Sequence, residues 1–348
     1  MEITEKMETI EIVGRITASA YYDHQQVRIA SMNRVRDVIR RKIEGIPLDK
    51  TEEKKENGSR EKKYTDTVLL KKWNELLQEN KITKKEHDYI TKIWDIMKDS
   101  KKLENKYKTA MKRYISGKLV YTEFLNEIRG IGEVLSANLI KEFGDCKVKI
   151  YKKIDDKFEL IAEEGDPSFE IEYRLWKTDK LLPIEDRIYR KKGYKTVSQL
   201  WAHSGNNVVN GKAPRVRKGE KSSFSPKLRT MTWKISSSLL TQNKGLYRVI
   251  YDLEKAKHLA RIYEEGELEQ KYGKPYIKTD ISLKLGHAHN RALRKMRKVF
   301  LDHYWHAARE LNGLPAKKNY VEGVLNHSNV VPWKEAITME HKPEKNEA

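Results

Sequence analysis

From Arg15 to Ile43 the apolar or aromatic positions Ile16, Ala20, Val27, Ala30, Met32, Val35, Val38 and Ile39 recur at steps of three and four, which predicts a long amphipathic helix. Such a helix must pair. A second helix is expected over about 65 to 80, with Val68, Leu69, Leu70, Trp73, Leu76 and Leu77 turned inward. Thr83 and Glu86 then form a capping box, behind which a third helix runs to about Ile115 on Tyr89, Ile90, Ile93, Trp94, Ile96 and Met97. Long helices without Gly or Pro read as an antiparallel coiled arm. Residues 1 to 13 are short and mixed and read as a frayed arm. Residues 44 to 63 carry Pro47, Asn57-Gly58 and a dense charge run, so they read as a loop or disordered linker.

The pattern then changes. Thr122 is expected to cap a short helix, Glu123 to Ile128, and a second helix runs from Glu133 to Phe143 until Gly144 stops it. Between them lies Arg129-Gly130-Ile131-Gly132, a helix-hairpin-helix signature. Its glycines allow positive φ, and the amides of residues 130 to 134 would point outward at a helix start, where a phosphate fits. From residue 146 to about 176, "KVKIYKKI", "KFELIA" and "SFEIEYRLW" alternate apolar with polar, which predicts a small three-stranded β insertion. Residues 177 to 195 read as irregular or helical, and Val197 to His203 as a short helix.

Pro226 would open a helix whose apolar face is Leu228, Met231, Trp233, Ile235, Leu239 and Leu240. A helix over about 244 to 264, a charged turn at Gly273-Lys274-Pro275 and a strong helix from Ala288 to Asn312 follow, the last broken by Gly313-Leu314-Pro315. The expected fold is mainly α. Its expected parts are a helical arm over 1–118, a helix-hairpin-helix domain with the β insertion over 119–240, a basic helical region over 241–336 and a disordered tail over 337–348.

Composition narrows the partner. Lys and Arg number 71 against 51 Asp and Glu, a net charge of +20, which points to a polyanion, nucleic acid being the commonest. Cys146 is the only cysteine, which excludes a disulfide framework and a cysteine zinc site and fits a reducing cytoplasm. Neither an apolar run of membrane length nor a signal-peptide pattern occurs, so the expected setting is cytoplasmic and nucleoid-associated, without a membrane. With no Walker loop or dinucleotide fingerprint, no cofactor is expected.

"IRGIGEVLSANLIKEFGD", "TVSQLWAHSG" and a basic loop ending in "KLRTMTWKI" occur in the order found in the C-terminal transposase domain of the insertion-sequence 110/116/902 family, which this chain resembles over about 120 to 240 apart from the β insertion. Helix 15 to 43 is similar to that family's coiled-coil linker. The resemblance implies DNA transposition or recombination. Active members also open with an RNase-H-like domain whose acidic residues hold metal, and the expectation here is a chain without it. The family's nucleophilic serine would fall nearest Asn210-Gly211, and an amide cannot form the covalent phosphodiester link.

Ser204 aligns with a different step, whereas Ser222, Ser223 and Ser225 lie in the basic loop; these four are the weak candidates for a nucleophile. The expected backbone contacts are Arg129, Gly130, Ile131 and Gly132, then Lys212, Arg215, Arg217, Lys218 and Lys221, then Lys227 and Arg229. Asn290, Arg291, Arg294, Lys295 and Lys298 would add phosphate contacts. His287, His289, His303 and His306 invite a metal reading, but the arginines beside them, Arg297 included, repel a cation, so no metal is expected. Trp201, Trp233 and Trp305 fall on apolar helical faces and read as core rather than stacking platforms. The first expectation is a DNA-binding protein, with a structured RNA as a further ligand, that self-associates through helix 15 to 43. An active serine transposase completed by a partner's acidic domain, and a host repair or chromatin factor using the same hairpin, are the alternatives.

Overall fold

In the computed structural model, residues 2–46, 66–209, 211–216, 218–262, 277–279, 282–317 and 330–341 are described. The chain is mainly helical, as its periodicity requires, and divides into two compact units, 1–111 and 112–348.

The first unit is a helical hairpin with a third helix packed on it. α1 (Glu2–Glu44), α2 (Asp66–Gln78) and α3, which begins at Lys84 and runs to Ile115, share a core of Val35, Ile39, Leu69, Trp73, Leu76, Ile90 and Trp94. Polar contacts fix the direction of the pair: His24 stacks on Tyr107, Arg28 binds Glu104, and Lys42 binds Glu86 at 2.9 Å. Numbers rise on one helix as they fall on the other, so α1 and α3 are antiparallel. Burial alone would raise the fully enclosed Glu104 carboxyl, but the Arg28 guanidinium holds it below its ordinary value. The capping box forms as expected, with Thr83 N–H donating to Glu86 Oε2 at 2.9 Å and Glu86 N–H to Thr83 Oγ1 at 3.2 Å.

Three details differ from the sequence reading. α1 extends through the segment expected to fray, because nothing in residues 2 to 13 breaks a helix and α1 continues without interruption. Ile16, Val27, Val68, Tyr89 and Ile96, expected inward, are exposed. The seam is narrower than their pattern suggested, carried on α3 by Ile90, Trp94 and Met97 at steps of four and three. The linker expected over 44–63 lies, from residue 47 onward, outside the described residues.

The second unit is built around one helix, α10 (Leu285–Glu310), whose Ala288, Ala292, Met296, Phe300, Tyr304 and Ala308 are fully buried. Before it come α4 (Leu119–Thr122), α5 (Glu133–Phe143), α6 (Phe169–Asp179), α7 (Val197–His203), α8 (Pro226–Thr241) and α9 (Leu246–Ala260). After it comes α11 (Trp333–His341). Phe300 packs against Phe124 at 6.0 Å and Tyr247 at 5.5 Å, and Trp333 closes on Phe124 at 6.0 Å. α11 occupies part of the stretch expected as a disordered tail from 337. Its Trp333, Ala336 and Glu340 are buried at helical spacing, and 342–348 lie outside the described residues.

The β insertion has three strands, but not the three expected. β1 (Lys149–Ile154) and β2 (Lys157–Glu163) form a hairpin across Asp155-Asp156, both at positive φ as a tight two-residue turn requires. The third strand is β3 (Tyr189–Lys192), on the other side of β1, where irregular or helical structure was expected. "SFEIEYRLW" is instead helix α6. Phe169 and Tyr173 are buried four residues apart with Trp176 beside them, whereas the alternating positions between, Ile171 and Leu175, are exposed. Glu170 and Glu172 in the first turn, behind Pro167, favour a helix start. A two-stranded ribbon, β4 (Ile277–Thr279) with β5 (Ser282–Leu283), was not expected; the charged turn at 273–275 lies outside the described residues.

The insertion closes at a neck. Tyr194 N–H donates to Cys146 O at 3.0 Å, and Gly193 (φ +80°) sits where a Cβ would fall 1.8 Å from Lys147 O, so only glycine passes. Arg309 at the end of α10 fastens this neck. Its guanidinium binds both Glu164 oxygens, at 2.8 and 2.6 Å, and donates to the carbonyls of Cys146, Tyr194 and Pro315. Removing one partner of a buried pair leaves the other charge uncompensated, so Arg309→Met should cost about 3–5 kcal/mol in chemical denaturation. Adding Glu164→Leu to it should recover most of that loss.

Candidate nucleic-acid interface

The N-terminal half of α10 carries a cationic stripe. His287, Arg291, Arg294 and Lys298 follow at steps of four, three and four, so they share one face opposite the buried alanines. Lys298 is held against Trp201: its Nζ lies 4.0 Å from the ring centroid while Trp201 Nε1 donates to Lys298 O at 3.1 Å. Asn290 and Lys295 are exposed along the same stretch, and Asn290 Nδ2 donates back to Gly286 O.

The basic loop reaches this stripe through α8. Ser225 caps α8 by accepting from Leu228 N–H at 3.3 Å, and Phe224 plugs against Gly205, where a Cβ would meet the ring at 2.6 Å. Arg229 follows on the first turn. Its guanidinium donates to Pro214 O at 2.6 Å and lies 4.8 Å over the Phe224 ring, so it is held in one orientation. Lys212, Arg215, Lys218 and Lys221 are exposed beyond it; Asn210 and Arg217 lie outside the described residues.

Between loop and stripe sits Arg297, 8% exposed, with Nε sealed from solvent and without a hydrogen-bond partner among the described residues. Burial lowers its pKa to about 10, and the neighbouring charges of Arg229 and Arg294 push the same way. Burial and then Arg215 lower Arg229. His287 is lowered by burial, then by Arg291, Arg294, His258 and Arg215. Like charges thus converge from α8, α10 and the loop, and an anion is what such a cluster attracts.

The hairpin lies elsewhere. Gly130 (φ +83°) accepts Ser238 Oγ on its carbonyl at 2.6 Å and lies against Gln242, at the far end of α8. Gln242 and Arg229 are thirteen positions apart, about 20 Å along α8, so the Gly130 turn and Arg229 lie at opposite ends of that helix. The segment before the hairpin, expected as a helix over 123–128, is a 3₁₀ turn, Leu125–Glu127. Thr122 does not cap it; its hydroxyl donates back to Leu119 O at 3.2 Å. Arg129 and Gly132 are exposed, while Ile131 is buried. Lys227 is exposed and paired with Glu142 at 3.1 Å.

The Arg129 amide, just before the glycines, is already bonded. Glu340 of α11, 2% exposed, accepts backbone N–H bonds from Leu246 at 3.0 Å and from Tyr247 and Arg129. Gly245 (φ +84°) makes room for it, since a Cβ there would lie 2.4 Å from the carboxylate oxygens.

The serines and histidines are mostly engaged in local structure. Ser204 is fully buried, donating to Leu200 O at 2.8 Å and accepting from Asn206; Ser222 donates to Phe224 O at 2.7 Å. Ser223 is exposed in the loop. His303 is buried between the Tyr247 hydroxyl and Val331 O, each at 2.8 Å, and burial lowers it to about 4. His289 Nδ1 lies 2.6 Å from the Tyr251 hydroxyl, and no group of three or more His, Cys, Asp or Glu able to hold a metal occurs among the described residues. His306 Nδ1 lies 3.0 Å from Asp302 O. Trp201 and Trp305 are core, but Trp233, expected in the core, is 50% exposed one turn beyond Arg229. No helix among the described residues is long and apolar enough to cross a membrane.

No family model, curated protein or solved structure matches the chain. Sequence reasoning left Arg297 and Glu340 out of the candidate site and assigned Trp233 to the core. Arg297 was visible only as a charge in a basic run; its position one step off the stripe, toward the buried alanines, was the available signal.

Burial is the first cause of the raised Glu340 pKa, outweighing its backbone donors. A carboxyl raised in the fold favours its neutral form there, so its stabilising share is present below the ordinary carboxyl range and lost as pH rises through the raised value. Glu340→Gln keeps one acceptor oxygen facing these N–H groups without the charge. It should therefore melt at or above the wild-type temperature near neutral pH, and the difference should vanish in acid; a lower melting temperature at neutral pH would refute this account.

Proposed function

We propose that the chain is a nucleic-acid-binding protein that grips the phosphate backbone with the α10 stripe and the basic loop. In this reading it resembles the C-terminal part of an insertion-sequence 110/116/902 transposase and acts in, or derives from, DNA transposition or recombination. The observation that carries the first statement is the convergence of Arg215, Arg229, Arg294 and Arg297 from three elements onto one place. Exposed Trp233, four residues from Arg229, adds a surface on which an unpaired base can stack. Hairpin and Arg229, about 20 Å apart along α8, would touch different phosphates of one strand or duplex. The ligand is DNA, with a structured RNA as a further candidate.

The transposase part of the reading rests on the three ordered sequence motifs. In its support, the hairpin, α7 and α8 belong to one compact unit. Ser204, Ser222 and Ser225 are committed to backbone bonds, which favours binding over serine chemistry, and leaves exposed Ser223 as the hydroxyl a serine mechanism would need. Self-association would use α1, where Ile12, Ile16, Val27 and Ile29 remain exposed.

Binding measured by fluorescence anisotropy should weaken steeply with salt, with a log–log slope of about −0.9 per duplex phosphate neutralised. Flat salt dependence or no binding would sink the reading. Trp233→Ala should weaken single-strand binding by roughly 5- to 100-fold, the range for one stacked base, and leave duplex binding nearly unchanged. His287, lowered by burial and by Arg291, Arg294, His258 and Arg215, should take up a proton when phosphate arrives, so affinity at pH 6 should exceed that at pH 8. His287→Gln should remove that part of the dependence.

A further inference from the structure

We infer that Arg297 is the floor of a single-phosphate site that takes a phosphomonoester, the phosphorylated end of a nucleic-acid strand. The inference rests on the nucleic-acid reading above and adds what part of the strand is recognised.

A guanidinium carries five donors in a planar fork and is never neutral under ordinary conditions. Inside proteins such a group is paired, as Arg309 is with Glu164 on this same helix. Arg297 is not. It is 8% exposed, its Nε is sealed and unpartnered among the described residues, and the charges acting on it are those of Arg229 and Arg294. A purely structural arginine would keep its stem in the core and turn its head to water or to a carboxylate. Arg297 instead keeps a buried nitrogen aimed among cations, which is the arrangement an anion completes.

The depth of the group selects the anion. An internal phosphodiester is flanked by sugars on both sides and carries one charge, so it rides on exposed groups such as Lys212 and Lys218. A terminal phosphate projects from the strand, is flanked on one side only, and carries about −1.5 to −2 charge at neutral pH. It can therefore pass the rim and accept bidentate hydrogen bonds from a recessed guanidinium. Arg229, fixed by Pro214 O and the Phe224 ring, stands ready as the second fork, and Trp233 one turn along α8 is placed for the terminal base.

The test compares one short oligonucleotide carrying a 5′-phosphate, a 3′-phosphate or hydroxyls at both ends, titrated against the full chain and its Arg297→Met and Arg297→Lys variants. A phosphorylated end, at one terminus or the other, should bind the wild type at least about tenfold tighter than the hydroxyl-ended strand. Arg297→Met should abolish that preference, bringing phosphorylated and hydroxyl-ended strands to the same affinity. If Arg297→Met does not fold, Arg297→Lys decides: it keeps the charge but not the fork, and the preference should fall by at least about fivefold. Equal binding of phosphorylated and hydroxyl ends by a wild type that does bind strands overturns the end-recognition inference and leaves the broader reading standing. A preference that survives unchanged in the variants overturns it equally. If no strand binds at all, the broader reading fails, and inorganic phosphate then tests the site itself: it should raise the melting temperature of the wild type more than that of the Arg297 variant that folds, and equal shifts overturn it.

Discussion

The buried pair of Arg309 and Glu164 is the constraint on which the second unit depends. It lies at the neck where the β insertion leaves the helical body at Cys146 and returns at Tyr194, and Arg309 binds a carbonyl on each side of that neck. Two neighbours on α10 act with it, Trp305 donating to Tyr194 O at 2.8 Å and Tyr304 to Gly144 O at 2.7 Å. The last two turns of one helix therefore fix both the end of α5 and the root of the sheet. Because the pair is sealed from water, its geometry is enforced by desolvation: either charge alone would be far more costly than both together.

The same helix carries a second buried arginine twelve positions earlier, Arg297, and the contrast between the two is informative. Arg309 is surrounded by acceptors and does structural work. Arg297 has cations for neighbours, so whatever keeps it charged inside the fold is not supplied by the described residues. α10 is thus divided along its length, its C-terminal half committed to internal polar bonds and its N-terminal half carrying the cationic stripe.

Much of the helical framework was legible. Capping chemistry at Thr83 and Pro226 depends on neighbours in sequence, and the long periodic runs of α1, α3 and α10 average over local exceptions. What failed was decided by tertiary placement. "SFEIEYRLW" satisfies both a period of two and one of nearly four, and only packing of Phe169 and Tyr173 on Val148 and Ile150 selects the helix. β3, "YRKK", has no apolar alternation at all, because it is defined by pairing with β1 and by Lys191 packing its stem while Nζ reaches Gly193 O. At the site, the exposed lysines and arginines were evident from composition, whereas Arg297, Trp233 and Glu340 acquire their meaning only from depth, which periodicity encodes to within a turn and no better.

A cluster of cations brought together by folding is also a store of self-repulsion. In the chain by itself, the N-terminal half of α10 and its loop have mobile ions as their added source of counter-charge. Salt then acts on this chain in two opposite senses. Raising ionic strength screens the repulsion between Arg294, Arg297 and Arg229 and firms the free fold, while it strips the chain from any polyanion that would have done the same more completely. On the nucleic-acid reading, the buffer that best screens these charges in the free chain is therefore also the one in which a strand is held least firmly.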